Sequence, residues 1–250
     1  MLRTLFRNRL PGVLLIFVLL GCWEAAVRLA LVNALTFPAV SDIFLSWGKL
    51  FATGVIFEQL GASLYRMFLG FLIAAVAGIA VGLLMGYFRW IDNLLEPLVE
   101  LLRPVPTPAY IPIAILVLGL GTEMKVFLIT AAAFFPVLLN TYSGVKHVDP
   151  VQIDTGRTFG FGSFAILRRI VLPAALPQIF TGLRVSMGIS LIMVVISEMV
   201  AANSGIGYFI LQAQRTFEVS DMYAGIFTLG VVGYLLNVIF IRIEKKIVHW

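Results

Sequence analysis

The stretch DPVQIDTGRTFGFGSFAILRRIVLP, residues 149–173, decides how the rest of the chain is read, because it does not suit the interior of a bilayer although nearly everything around it does. It carries Asp149, Asp154, Arg157, Arg168 and Arg169, and one such charge at the centre of a membrane helix costs about 2.5–3.5 kcal/mol. The stretch therefore sits in water or against another protein. Its grammar is helical: Asp149 and Pro150 read as an N-cap followed by proline at the first helical position. Gly160 and Gly162 break that helix. A second helix is expected from Ser163, as its cap, to Leu172, with Arg168 and Arg169 near its end and Pro173 as its stop.

The surroundings are apolar. Sixty per cent of the residues are hydrophobic, 12% are charged and the mean hydropathy is +1.01, which places the chain in the membrane class. Its 250 residues hold about six spans of 20 residues with short connections. The net charge of +5 fits basic loops on one face of a membrane better than nucleic-acid binding. Cys22 is the only cysteine, so no intrachain disulfide forms. His147 and His249 have no clustered Cys or acid partners, which disfavours a metal site. No G-x-x-x-x-G-K-[ST] motif occurs, so a P-loop nucleotide site is excluded.

From the N-terminus, Arg3, Arg7 and Arg9 precede an apolar run over 11–32 that is read as a retained first span in preference to a cleaved signal, with Glu24 and Arg28 paired near its outer end. An amphipathic helix is expected over 41–53. The second span, 63–88, carries Gly70, Ala74, Gly78, Gly82 and Gly86 at strict four-residue spacing, a small-residue ribbon that lets another helix backbone approach. Asp92, Glu96, Glu100 and Arg103 make residues 91–102 interfacial or cytoplasmic. Pro104, Pro106, Pro108 and Pro112 then interrupt the third span up to Gly121, leaving either a kinked helix or backbone that lines a pathway.

A fourth span is expected over 125–140, a fifth over 181–202 and a sixth over 222–243, which ends on Arg242, Lys245, Lys246 and Trp250. On the fifth, Gly182, Ser186, Ser190, Met193 and Ser197 share one stripe, which suits helix packing or a pore for a polar solute. Glu198 follows, either a functional acid or a hydrogen-bonded anchor. With six spans starting inside, thirteen of the 18 Lys and Arg residues fall on the side of the 149–173 loop and five on the other. The positive-inside rule then puts both termini and the loop in the cytoplasm.

Several stretches resemble a known family. Asp154-Thr155-Gly156, three residues, Gly160, nine residues, Ile170, one residue, Leu172-Pro173 is similar to the EAA loop of the permeases of ATP-binding-cassette importers, with Thr155 and Gly156 in place of the two alanines. SLYRMFLGF at Ser63, RPVPTPAYIPIAILVLGLG at Arg103 and ISEMVAANSGIGYFI at Ile196 resemble the sulfonate, nitrate and taurine branch. The resemblance implies an all-α polytopic fold of the type I importer permease, with residues 1–62 as an N-terminal tail, first span and outer loop and residues 63–250 as a core of five spans.

It further implies import of a small solute, by preference an anion such as a sulfonate, taurine, nitrate or bicarbonate, with a thiamin-precursor or flavin-like solute as the alternative. Expected partners are two ATPase subunits carrying ATP and Mg, a periplasmic or lipid-anchored solute-binding protein, a second permease copy and membrane lipid; no cofactor binds this chain. Asp154, Thr155, Gly156, Arg157, Phe159, Gly160 and Phe161 are the expected ATPase-coupling residues. Ser186, Ser190, Met193, Ser197 and Glu198 are the expected translocation pathway, and the ribbon from Gly70 to Gly86 the packing surface. An intramembrane enzyme needs paired acids or a Ser-His arrangement at depth, and none is visible. A passive channel has no need of the loop.

Overall fold

The computed structural model describes residues 2–33 and 35–248, with side chains described for 11–12, 14–33 and 35–248. The side chains of Arg3, Arg7 and Arg9, together with His249 and Trp250, lie outside the described residues. The described chain is helical: α1 (Leu2–Arg28), α2 (Val40–Ala52), α3 (Val55–Tyr87), α4 (Arg89–Leu102), a 3-10 turn (Thr107–Tyr110), α5 (Ile111–Leu118), α6 (Thr122–Lys146), α7 (Pro150–Thr158), α8 (Ser163–Ile166), a π turn (Leu167–Val171), α9 (Leu172–Ala201), α10 (Ile206–Arg215) and α11 (Val219–Ile247). Among the described residues, α3, α6, the continuous helix Ser163–Ala201 and α11 are long and apolar enough to cross a membrane. The pair Arg89–Leu102 and Thr107–Leu118, bent by 87°, makes a fifth crossing if taken as one. The first span of the sequence reading, 11–32, falls on α1, and the sixth, 222–243, on α11.

The chain forms two compact units. One comprises Met1–Gln59 with Phe209–Gly230. Its aromatic residues interlock edge to face, Trp23 on Tyr223 at 5.7 Å and Phe44 on Phe227 at 5.3 Å between ring centroids. Trp47 Nε1 donates to Thr228 Oγ1 at 3.0 Å, and Ser46 donates to Asp221. Glu24 and Arg28 pair at 3.1 Å, and both also bond Ser41.

The other unit comprises Leu60–Tyr208 with Val231–Trp250. Its centre is α6, flanked by α3 and α9. The glycine ribbon of α3 lies on α6 along its length: a Cβ at Gly70 would meet Ile129 at 2.7 Å, at Gly78 Val137 at 2.9 Å, at Gly82 Thr141 Cβ at 2.7 Å and at Gly86 Val145 Cβ at 2.5 Å. Ala74 within the ribbon is fully buried. Four-residue steps on both helices keep the two in register, and Thr130 Oγ1 donates to Gly70 O at 3.1 Å across the seam. The seam between α6 and α9 is equally close. A Cβ at Gly182 would stand 2.9 Å from Pro136 O, and Gly144 meets Ala175.

Thr141 Oγ1 is buried at this junction with no hydrogen-bond partner among the described residues. Thr141→Val keeps the shape and removes the orphaned hydroxyl, and is expected to raise thermal stability in detergent by about 1 kcal/mol; an unchanged or lowered melting temperature counts against that account.

Several boundaries differ from the sequence reading, among them the start of the second span, which is Val55 and not residue 63. Ser163 does not cap the helix it opens; Gly162 precedes it, with no side-chain cap. Pro173 does not stop that helix either. Residues 163–201 run on, because the wide turn over Leu167–Val171 shifts the hydrogen-bond register and leaves Pro173 in the first turn of α9, where no N–H is required. α6 also begins earlier than residue 125. Lys125 is buried at 2% exposure and its Nζ donates to Leu120 O at 2.9 Å and Gly121 O at 3.0 Å, closing the chain that follows α5.

Candidate functional site

The loop between α6 and α9 is built from its caps outward. Asp149 Oδ1 accepts from Val151 N at 2.9 Å, and Pro150 occupies the first turn of α7. Thr155 and Thr158 turn their hydroxyls back onto Val151 O and Asp154 O at 2.6 and 3.0 Å. Asp154 and Arg157 pair at 3.0 Å on the exposed side. Gly156 faces the other way and is buried, with Ile170 Cδ1 only 2.6 Å from where its Cβ would stand. Gly156 therefore seats α7 on the π turn. Gly160 turns the corner at φ +75°, and Phe161 N donates to Gly156 O at 3.0 Å.

Beyond the corner the loop presents its rings outward. Phe159 and Phe164 are each 75% exposed, while Phe161 stacks under the Arg169 guanidinium at 5.5 Å. A shallow trough on the same loop is lined by Val151, Gln152, Thr155, Arg169, Ile170, Pro173 and Ala174. The base of the loop is fixed: Val145, Val148, Ile166, Val171, Ala175 and Ile179 form one buried cluster. A rigid root with exposed aromatic residues at the tip is the form of a docking element.

The stripe on α9 lies inside the chain. Ser186, Ser190 and Ser197 are fully buried, and Met193 and Glu198 nearly so. Ser186 Oγ donates to Ala133 O of α6 at 2.7 Å, Ser190 Oγ to Ser186 O at 2.8 Å and Ser197 Oγ to Val194 O at 2.8 Å. In this conformation each hydroxyl is engaged by a main-chain carbonyl, and small size serves helix approach. Met193 packs with Met67, Met124 and Leu128 in the second buried cluster.

Glu198 is the centre of a network that the sequence reading left as one of two alternatives. Its carboxylate accepts from Arg66 Nη1 at 2.7 Å, Ser63 Oγ at 2.7 Å and Gly207 N at 3.1 Å. Arg66 also donates to Ser204 O and Ser204 Oγ, each at 2.8 Å. Ser63 Oγ accepts from Ile206 N at 2.8 Å. The first amides of α10 thus end on α3 and α9. Gly205 has φ +115°, and any Cβ there would stand 2.2 Å from the Glu198 carboxyl carbon. Arg66 is one of the five basic residues that the charge count places opposite the 149–173 loop; the usable signal is a lone base in one apolar span and a lone acid in another. A second missed group is Asp92, buried at the start of α4, which accepts from Lys146 Nζ at 2.8 Å and Tyr142 Oη at 3.1 Å.

Membrane-length helices packed through glycine seams, with one rooted polar loop, define a polytopic helical membrane protein. The chain matches the family described as "Binding-protein-dependent transport system inner membrane component" over residues 74–249. It is 34% identical over 241 residues, 96% of this chain and 87% of the relative, to the putative aliphatic sulfonates transport permease protein SsuC of Bacillus subtilis (strain 168). The taurine transport system permease protein TauC of Escherichia coli (strain K12) is 31% identical, covering 93% of this chain and 86% of its own length. The nitrate import permease protein NrtB of Leptolyngbya laminosa is 32% identical, covering 97% and 88%. Among solved structures, the inward-facing MetNI methionine ABC transporter superposes with a TM-score of 0.67 at 19% identity, over 74% of this chain and 93% of that one. The chain belongs to this family of inner-membrane components of binding-protein-dependent transport systems, and its fold is that of the type I ABC importer permeases.

Proposed function

We propose that the chain carries a small anion, of the sulfonate, taurine or nitrate class, inward across the membrane by alternating access, powered by ATPase subunits docked on the 149–173 loop. The observation that carries the reading is the pair of exposed rings, Phe159 and Phe164, held at the tip of a loop whose base is buried. The names of the relatives support the solute class. In this reading residues 63–250 are the transport core, two ATPases bind ATP and Mg, a solute-binding protein delivers the anion from outside and a second copy of the chain completes the pathway. Both termini lie with the loop in the cytoplasm. Energy transfer needs contacts that differ between two states, and a docked rigid loop supplies them.

The test is uptake of labelled taurine, an alkanesulfonate and nitrate by the assembled transporter in vesicles, beside co-purification of the ATPase. Gly160→Val must hold a β-branched residue in the left-handed region, a cost of about 1–2 kcal/mol. The ratio of the corner to alternative conformations then falls about tenfold, and uptake is expected to drop, while membrane insertion is unchanged. Full uptake by this variant removes the coupling role, and transport of none of the three solutes removes the solute class.

Ser186, Ser190, Met193, Ser197 and Glu198 reach a solute in this scheme only if α9 parts from α6 during the cycle. Ser190→Cys in a Cys22→Ser background is expected to resist a small thiol reagent at rest, since Ser190 is fully buried. Labelling that appears only during turnover supports a pathway there; protection throughout makes the stripe a seam.

A further inference from the structure

We infer that the corner between α3 and α4 is a binding site for the phosphate headgroup of an anionic phospholipid. A cavity of about 300 Å³ lies there, between the end of α3 and the coupling loop, lined by Tyr87, Phe88, Arg89, Arg157 and Ser163 among others. Two arginines and a serine line this one space, and each side chain is a hydrogen-bond donor. Arg89 makes no ion pair or hydrogen bond among the described residues, although Asp92 stands three residues on. That acid is engaged by Lys146 and Tyr142 instead. Arg157 gives only Nη1 to Asp154, at 3.0 Å, so donors remain on it. With Arg89, Arg157 and Asp154 counted, the cavity carries one net positive charge.

Its level in the membrane fits a lipid headgroup better than a free ion. The cavity opens where α3, an apolar helix of 33 residues, ends. Tyr87 and Phe88 meet edge to face at 4.9 Å beside it, and Trp90 is 67% exposed on the next residue but one. Aromatic residues and arginine together at the end of a span mark the headgroup layer, and basic pockets between helices on that face bind phosphate-bearing heads. The phosphodiester oxygens would accept from both guanidinium forks. An occupant would tie α4 to α7 and so brace the coupling loop through lipid.

The full chain, purified in mild detergent, is offered phosphatidylglycerol or phosphatidylcholine vesicle lipid and retained lipid is counted by native mass spectrometry. One phosphatidylglycerol per chain is expected to persist about fivefold over phosphatidylcholine, and Arg89→Gln to cut that retention about fivefold. Ser163→Ala gives a smaller loss in the same direction. Arg242→Gln, an exposed base at the far end of α11, leaves retention unchanged. Equal retention of the two lipids overturns the site, as does an equal loss from Arg242→Gln, which would mean unlocalised charge attraction. Displacement of the lipid by excess inorganic phosphate would make this a free-anion site and overturn the lipid assignment.

Discussion

Gly82→Leu is expected to abolish a monodisperse folded peak on size exclusion in detergent, and Gly82→Ala to lower the melting temperature, whereas Gly61→Ala on the same helix is expected to raise it. At Gly82 a new Cβ meets Thr141 Cβ at 2.7 Å and Leu138 O at 2.8 Å. The second of these is backbone in the middle of α6 and cannot step aside without moving the helix. Overpacking a close seam costs about 1–3 kcal/mol for added methylenes, and the isobutyl group of leucine adds several. In lipid or detergent no hydrophobic gain between helices offsets it, since association depends on close contact. Gly61 has nothing within 4 Å, so alanine there brings only the helix-propensity gain of about 1 kcal/mol. If the two alanine variants melt alike, the ribbon is not what holds α3 to α6.

The second large effect belongs to Glu198. Glu198→Ala leaves the Arg66 guanidinium, whose side chain is 10% exposed, without its anion, and losing one member of a buried pair costs about 3–5 kcal/mol. The loss also frees the amide of Gly207 and the hydroxyl of Ser63, whose oxygen is what holds the amide of Ile206. Hydrogen exchange at the start of α10 should therefore accelerate along with the drop in stability. Arg66→Met combined with Glu198→Met removes both charges and is expected to be more stable than either single variant, because no uncompensated ion remains. A double variant as unstable as the sum of the singles would show that Arg66 and Glu198 act separately.

How far the sequence reveals these features depends on whether the pattern is local. The ribbon is legible because glycine at every fourth helical position lowers propensity and is explained only by a close neighbour. The loop is legible because Asp149, Pro150 and Gly160 are cap and corner residues whose roles need nothing distant. The Arg66–Glu198 pair joins positions 132 residues apart, and no periodicity records it. The serine stripe is readable as a stripe but not as buried, since a seam and a pore call for the same small hydroxyl residues. Pro173 misleads for a different reason: proline breaks a helix in one hydrogen-bond register, and the turn over Leu167–Val171 supplies another.

In the proposed coupling, that turn also sets how force would leave the loop. Residues 163–201 are 39 residues of uninterrupted helix, about 58 Å at about 1.5 Å per residue. There is no joint between the loop end and the far end of the rod. A tilt of about 10° at the foot swings the opposite tip by roughly 10 Å over that length. Glu198 sits three residues from that tip, so under the proposed coupling a push applied to Phe159 and Phe164 would arrive at the loop that opens α10 as displacement, with the oar's blade moving because the handle does.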